Sequence, residues 1–433
     1  MKLFASLVLV ALSAVAQGSK QSPIAGPWVG DATVHGQQVP VRLEITGSGK
    51  NLQAALLNGP QLNGPQLKGP QLKGPDRSPA SSVTYVGNHL VVTFNYYART
   101  LDATVAHGHL TGTFGTTATR YPVSLILHGS TGVDTKADGP AIPGDWEVEV
   151  KSSKGESAWQ LRIEPSDHSD QVKAVIQRID GDTGGLWGTW NGSSYRVGHF
   201  NAAGPALYSV TPRSDGTLLI RSLLPAAHGP ALGDLIARRP ADARRLNLAA
   251  PTDPTQQTTV KDPTIPFVFR FPDLSGKVFS NTDAQFRGKV IIVAIGGSWC
   301  PNCHDEAPFL VSLYKQFHSR GLEIVNLDFE QGDPETDTAR LRAFIAHYGI
   351  PYPVLVGGTT DQLAEKIPQG VNLNCWPTSF FLGRDGLVKV THAGFAGPGN
   401  TAGHVALERD VTALVEKLLA EPVPTQPTRA GSE

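Results

Sequence analysis

The chain has 433 residues, 40% hydrophobic and 17% charged, with 37 Lys and Arg against 38 Asp and Glu and a formal net charge of −1. That length exceeds one ordinary domain and the composition supplies apolar residues for two or three cores. A near-neutral chain without a like-charge run is not a basic nucleic-acid binder, so no nucleic-acid partner is expected. Three cysteines, Cys300, Cys303 and Cys375, exclude a disulfide-stapled scaffold and point instead to reactive thiols.

Lys2 is followed by the apolar run Leu3–Leu12 and then Ala14-Val15-Ala16. This is the order of a charged n-region, an apolar h-region and an A-x-A cleavage site, so residues 1–16 are expected to be a signal peptide. The run is shorter than the about 20 apolar residues of a membrane span. No cysteine near the site offers a lipid anchor. The mature chain is expected to be exported, soluble, and periplasmic or extracellular.

Residues 23–237 alternate short apolar runs with Gly, Asn and Asp turns, as in Val39–Ile45, Leu90–Phe94 and Trp159–Ile163. Period-two patterning of this kind predicts an all-β region. Gly26-Pro27-Trp28 and Gly144-Asp145-Trp146 each open a strand and lead into a second alternating strand. The region therefore reads as a duplicated sandwich or barrel, with halves at 23–130 and 141–237. Inside the first half, residues 58–75 repeat Gly-Pro-Gln-Leu, a composition that favours a solvated, turn-rich loop. The pair His107 and His109 falls on a β loop and reads as surface histidines. Residues 238–264, rich in Ala, Pro, Thr, Asp and Gln, are expected to be a linker, and 421–433 a disordered tail.

Residues 265–420 change character. Strands are predicted at Phe267–Phe271, Lys289–Ile295, Leu322–Phe329, Tyr352–Val356, Thr378–Leu382 and Leu387–Thr391. Helices are predicted at Asn302–Arg320, Thr336–Tyr348 and Ala402–Leu419. Strands alternating with helices specify an α/β domain with parallel pairs. The segment Trp299-Cys300-Pro301-Asn302-Cys303 sits where the apolar run Val290–Val293 gives way to the first helix. A thiol there meets free backbone N–H groups and the positive helix end, which favour its thiolate. A second thiol one turn on is within reach to close a disulfide.

This pattern resembles the thioredoxin superfamily, and within it the exported TlpA/ResA-like branch. The residues that carry the resemblance are the Trp299–Cys303 motif, Glu306-x-Pro308-x-Leu310, and Trp376-Pro377-Thr378 ahead of a late strand. The resemblance spans residues 265–420, and Asp328–Lys366 is similar to the extra helix inserted in that branch. It implies an exposed attacking Cys300, a more buried resolving Cys303, and a Pro301-Asn302 dipeptide that tunes the redox potential. It implies a cis Pro377 facing the site, with the Trp376 backbone free to pair with an extended client. Trp299 and Thr378 would complete the substrate surface. Glu306 would relay protons as Cys303 titrates, or be a plain solvated acid of the first helix, favoured by the helix dipole. The function implied is a thiol–disulfide oxidoreductase of the protein-disulfide reductase type. Its clients are protein thiols and disulfides, its only cofactor is the Cys300–Cys303 disulfide, and no metal is implied. It would be recharged by an external membrane electron donor, through which alone it would touch a membrane.

Other readings stand beside this one. Cys375 is a candidate third redox thiol, or a small buried hydrophobe. Cys300–His304 also spells C-x-x-C-H, the c-type haem pattern, although the only methionine is Met1. Cys300, Cys303, His304 and Cys375 are metal-type ligands. A peroxiredoxin-like peroxidase would want Thr or Ser at position 297, where Gly stands. Lastly, the β region could bind a ligand or a client, raising the client's effective concentration at the linked site.

Overall fold

The computed structural model describes residues 22–59, 77–127, 139–165, 171–225 and 233–423. The expected signal peptide, most of the Gly-Pro-Gln-Leu loop and residues 424–433 of the tail lie outside the described residues.

The N-terminal region is all-β, in two units. The first is a nine-stranded antiparallel sheet between Gly26 and Leu127 that curls into a half-barrel. Its strands alternate as the pattern predicts: in Gln37–Thr46, Val39, Val41, Leu43 and Ile45 point into a core built on Trp28, Phe94 and Phe114. Two of its hairpins turn on His-Gly pairs, His35-Gly36 and His107-Gly108, all four with positive φ. Two left-handed residues match the twist of the paired strands. His107 and His109 are exposed. The second unit, Gly144 to Arg238, repeats the meander and closes. Ala158–Pro165 pairs with both Gly144–Glu149 and Gln171–Arg178, which completes a barrel around Trp146, Leu161 and Tyr195.

The duplication is visible atom by atom. Trp28 lies opposite Leu43 and Gly26 opposite Ile45, while Trp146 lies opposite Leu161 and Gly144 opposite Ile163. The Trp28 indole N–H donates to the Ile24 carbonyl at 2.9 Å, and the Trp146 indole repeats that bond to Ile142 at 2.9 Å. An indole N–H buried with its partner carries no desolvation penalty.

The C-terminal domain has the thioredoxin-like α/β fold. Its five-stranded sheet runs Val354–Thr359, Leu322–Glu330, Val290–Gly296, Thr378–Leu382, Val388–Ala393. The first three are mutually parallel, and each of the last two runs antiparallel to the strand before it in this order. Val290–Gly296 is buried along its whole length, as a central strand covered on both faces must be. Helices Pro301–Phe317, Pro334–Tyr348 and Thr401–Ala420 lie where the sequence places them, and Pro301 and Pro334 open theirs at the first helical position. No helix among the described residues is long and apolar enough to cross a membrane.

Two expectations are corrected. Phe267–Phe271 is not a full strand; only Arg270–Pro272 pairs, with Val278–Ser280. Phe267 and Phe269 are instead buried as anchors, so their spacing reflects core contact rather than a ladder. Residues 238–264 are not a free linker. They hold the end of a barrel strand, helices Pro240–Arg245 and Pro254–Gln257, and a strand at Thr259–Val260 that pairs with Gly370–Val371. Gln257 is buried, donating to the Lys154 carbonyl of the second barrel at 2.9 Å and to Asn374 of the C-terminal domain at 3.0 Å. Polar side chains here join the two bodies, which apolar periodicity cannot reveal.

Candidate active site

Cys300 is the N-cap of the Pro301–Phe317 helix. The first N–H groups of a helix lack the usual carbonyl partners four residues back, and the Cys303 N–H is shared between the Cys300 carbonyl at 3.1 Å and the Cys300 sulfur at 3.2 Å. Both cysteines are free thiols. Cys303, expected to be the more buried of the two, is 6% exposed against 2% for Cys300, and burial together with neighbouring Cys300 and Glu306 pushes its thiol well above the ordinary range.

Glu306 is not a solvated acid of the helix surface. It is 7% exposed, and its carboxylate accepts a hydrogen bond from the Ser379 hydroxyl at 2.9 Å. Burial pushes its pKa up to about 7, against the opposing pull of that bond. Glu306, Cys303 and Asp328 line one small cavity of about 10 Å³, closed by Phe344 and Tyr352. That is room for about one water. Asp328 is fully buried, and among the described residues neither of its oxygens finds a hydrogen-bond partner of good geometry. Burial and the adjacent Glu330 hold its carboxyl well above the usual range.

The loop ahead of Cys300 is held by a buried ionic cluster. The Ser298 N–H donates to Glu330 at 3.0 Å, and its hydroxyl donates to the same carboxylate. Arg340 binds Ser298 Oγ at 2.9 Å, Asp337 at 2.6 Å and also Glu330. Trp299 donates its indole N–H to the Phe329 carbonyl at 3.0 Å and meets the Trp376 ring edge-on at 5.7 Å. Trp376–Pro377 is a cis bond, as the resemblance implies. Thr378, expected on the substrate surface, is instead fully buried, and its hydroxyl donates to the Cys375 carbonyl at 2.9 Å. It braces the loop from behind. Cys375 is fully buried against Ile179 and Ala393, with burial raising its thiol to about 12. Of its two readings, the small buried hydrophobe is the one its surroundings match.

His304 does not serve as a metal-type ligand in this arrangement. One ring nitrogen pairs with the Ser298 carbonyl at 2.8 Å and the other with the Tyr348 hydroxyl at 3.0 Å. Burial holds its pKa down at about 3, so the ring is neutral at ordinary pH. Among the described residues no three His, Cys, Asp or Glu side chains converge as a metal site. At Gly297 a Cβ would lie 2.5 Å from the Phe329 carbonyl oxygen, so the Thr or Ser of a peroxidase site has no room.

Cys300, expected to be exposed, is only 2% exposed. Two parts of the β region pack against the helix and loops around it. Tyr97 of the half-barrel stacks on His304 with centroids 3.9 Å apart, and Tyr96 stacks on His347 at 3.9 Å. From the other side, the Ile179–Asp182 turn of the closed barrel lies against the cis-proline loop. Asp180 accepts the Trp376 N–H at 3.1 Å on its carboxylate and the Phe395 N–H at 3.1 Å on its carbonyl. A Cβ on Gly181 would sit 2.6 Å from the Asn302 side chain.

Sequence reading missed Asp328, Glu330, Arg340, Tyr97 and Asp180. A signal existed for the first two: in the second half of the strand, Asn326, Asp328 and Glu330 are polar at every second position, hence on one face of it. Tyr97 and Asp180 come from remote elements and leave no local signature.

Residues 261–391 match the AhpC/TSA family model. Over 120 residues the chain is 32% identical to the thiol-disulfide oxidoreductase ResA of Bacillus thuringiensis strain Al Hakam, covering 28% of this chain and 62% of that protein. It is 34% identical over 122 residues to the ResA of Bacillus cereus strain ATCC 10987, again covering 28% and 62%. The chain thus spans less than two thirds of the length of these relatives. A solved thiol:disulfide interchange protein of the thioredoxin family from Chlorobium tepidum is 26% identical, covering 37% of this chain and all of that one, with a TM-score of 0.29. The C-terminal domain of this chain is therefore a thioredoxin-like domain related to the ResA thiol-disulfide oxidoreductases.

Proposed function

We propose that the chain is an exported thiol–disulfide oxidoreductase of the disulfide-reductase type, acting on protein clients through Cys300 and Cys303. The observation that carries the reading is Cys300 capping the helix while Cys303 and a buried Glu306 share one cavity behind it. In the first step the Cys300 thiolate attacks one sulfur of a client disulfide, forming a mixed disulfide and releasing the other client sulfur as a thiolate, which takes a proton from solvent. Cys303 then gives its proton to Glu306 through the water the cavity admits. The Cys303 thiolate attacks Cys300 Sγ, closing the Cys300–Cys303 disulfide and expelling the client's second thiolate. Two electrons have moved from the domain to the client. The oxidised domain must be re-reduced by an external dithiol donor, for which a membrane thiol transporter is the proposed source. Pro301, exposed beside the attacking sulfur, and Asn302 tune the couple.

The test is the reduction potential of the Cys300/Cys303 pair, read by thiol alkylation after equilibration in dithiothreitol or glutathione buffers. A value near thioredoxin's, about −270 mV, is expected of a reductant, whereas about −120 mV marks a disulfide donor and overturns the direction.

A further inference from the structure

We infer that the β region is a built-in cover of the redox centre, and that its Ile179–Asp182 turn occupies the groove a client backbone must enter. The inference rests on the oxidoreductase reading for what the groove is for, but its geometry stands alone. The Trp376 N–H, next to the cis-proline, is taken by the Asp180 carboxylate, and the Phe395 N–H by the Asp180 carbonyl. Gly181 and Phe395 form a parallel β bridge, so the turn lies along this edge as an added strand would. Gly181 and Gly394 permit the approach: a Cβ on Gly394 would fall 2.0 Å from the Ile179 carbonyl oxygen.

The turn is braced from its own barrel. Glu156 accepts the Ile179 N–H at 2.7 Å, and Lys154 pairs with Asp180. Further out, Asp182 accepts the Asn400 N–H at 3.1 Å. Tyr97 closes the opposite side by stacking on His304, one helical turn from Cys300. The two β units thus flank the residues around the thiol, Asn302 and the cis-proline loop on one side and His304 on the other, which is the arrangement of a cover. A protein disulfide in this closed state cannot reach Cys300. It must displace the turn, exchanging the Asp180 contacts for its own backbone acceptors, and the few polar contacts at the turn make that exchange feasible.

The experiment uses the full chain, reduced, with Cys300 labelling followed by peptide mass mapping. Iodoacetamide serves as the small probe and a polyethylene-glycol maleimide as the bulky one. Asp180→Ala should raise the bulky-probe rate at Cys300 by about tenfold, the equivalent of one lost charge-assisted hydrogen bond. Asp180→Asn keeps an acceptor oxygen toward the Trp376 N–H and should stay near the parent rate. Tyr97→Ala should accelerate labelling from the other flank, and serves in place of Asp180→Ala if that variant does not fold. Hydrogen exchange at Trp376 and Phe395 reports whether the contact has opened. Exchange that rises while labelling does not overturns the cover, as does a parent protein whose Cys300 takes the bulky probe as readily as Asp180→Ala. Labelling needs only thiols, so loss of the oxidoreductase reading would appear separately, as a Cys300/Cys303 pair that forms no reversible disulfide.

Discussion

Glu306→Gln separates a buried proton acceptor from an ordinary helix acid. In the folded chain burial lifts the Glu306 carboxyl from 4.5 to about 7. Its folded pKa is raised, so the native state binds more protons than the unfolded chain between these values. The stability it contributes is fully present below pH 4.5 and is lost as pH rises through 7. At 1.36 kcal/mol per unit, the loss is about 3 kcal/mol. Gln has the same shape and keeps an oxygen to accept the Ser379 hydroxyl, but carries no titrating proton. The assay is urea unfolding of the reduced full chain at pH 4.5, 6 and 8, with a hydrogen-exchange pulse at one common pH reporting the Val290–Ile295 amides. This isolates the C-terminal domain from the barrels, since one midpoint does not describe a multidomain chain. The stability of Glu306→Gln relative to the parent should rise by about 3 kcal/mol from pH 4.5 to pH 8. A difference that does not change with pH refutes a carboxyl lifted by burial into the neutral range of pH and removes the proton acceptor from the mechanism.

Other consequences can be checked alongside. Cys303→Ser should accumulate a mixed disulfide between Cys300 and a client, visible as a mass adduct that dithiothreitol removes, while Cys300→Ser should form none. Arg340→Met leaves Glu330 and Asp337 buried without their cation, and should destabilise the C-terminal domain by about 3–5 kcal/mol in the same unfolding assay. Trp28→Phe and Trp146→Phe each remove one indole-to-carbonyl bond and strand the Ile24 or Ile142 acceptor. Matching losses of about 1–3 kcal/mol in their own units are expected, and a large inequality would argue against equivalent positions in a duplication.

What the sequence made legible follows the range of the forces involved. Alternation in Gln37–Thr46 and the apolar run Val290–Val293 are local patterns, and both elements are where they were expected. The Gly-x-Trp repeats announced a duplication because each tryptophan needs the same partner four residues back. The redox turn was legible for a similar reason: two thiols at a helix start are a local chemical device. Exposure is different in kind. Nothing near Cys300 in the chain indicates that it is buried, since the covering groups arrive from Tyr97 and Asp180, in two separate β units. Glu306 was ambiguous on the same ground, because an acid toward the N-terminal end of a helix is accounted for by the helix dipole without any further role. Only the cavity it shares with Cys303 and Asp328 distinguishes proton transfer from capping. The short segment around Gln257 shows the same logic in reverse. Its composition is that of a connector, yet Gln257 ties the Lys154 loop to Asn374, beside Cys375. The β region and the redox loop are therefore joined through the chain that links them as well as through the Asp180 turn. A movement that uncovers Cys300 breaks the Asp180 contacts on one flank or the Tyr97 contact on the other, while the Gln257 bonds tie the two bodies at a third place.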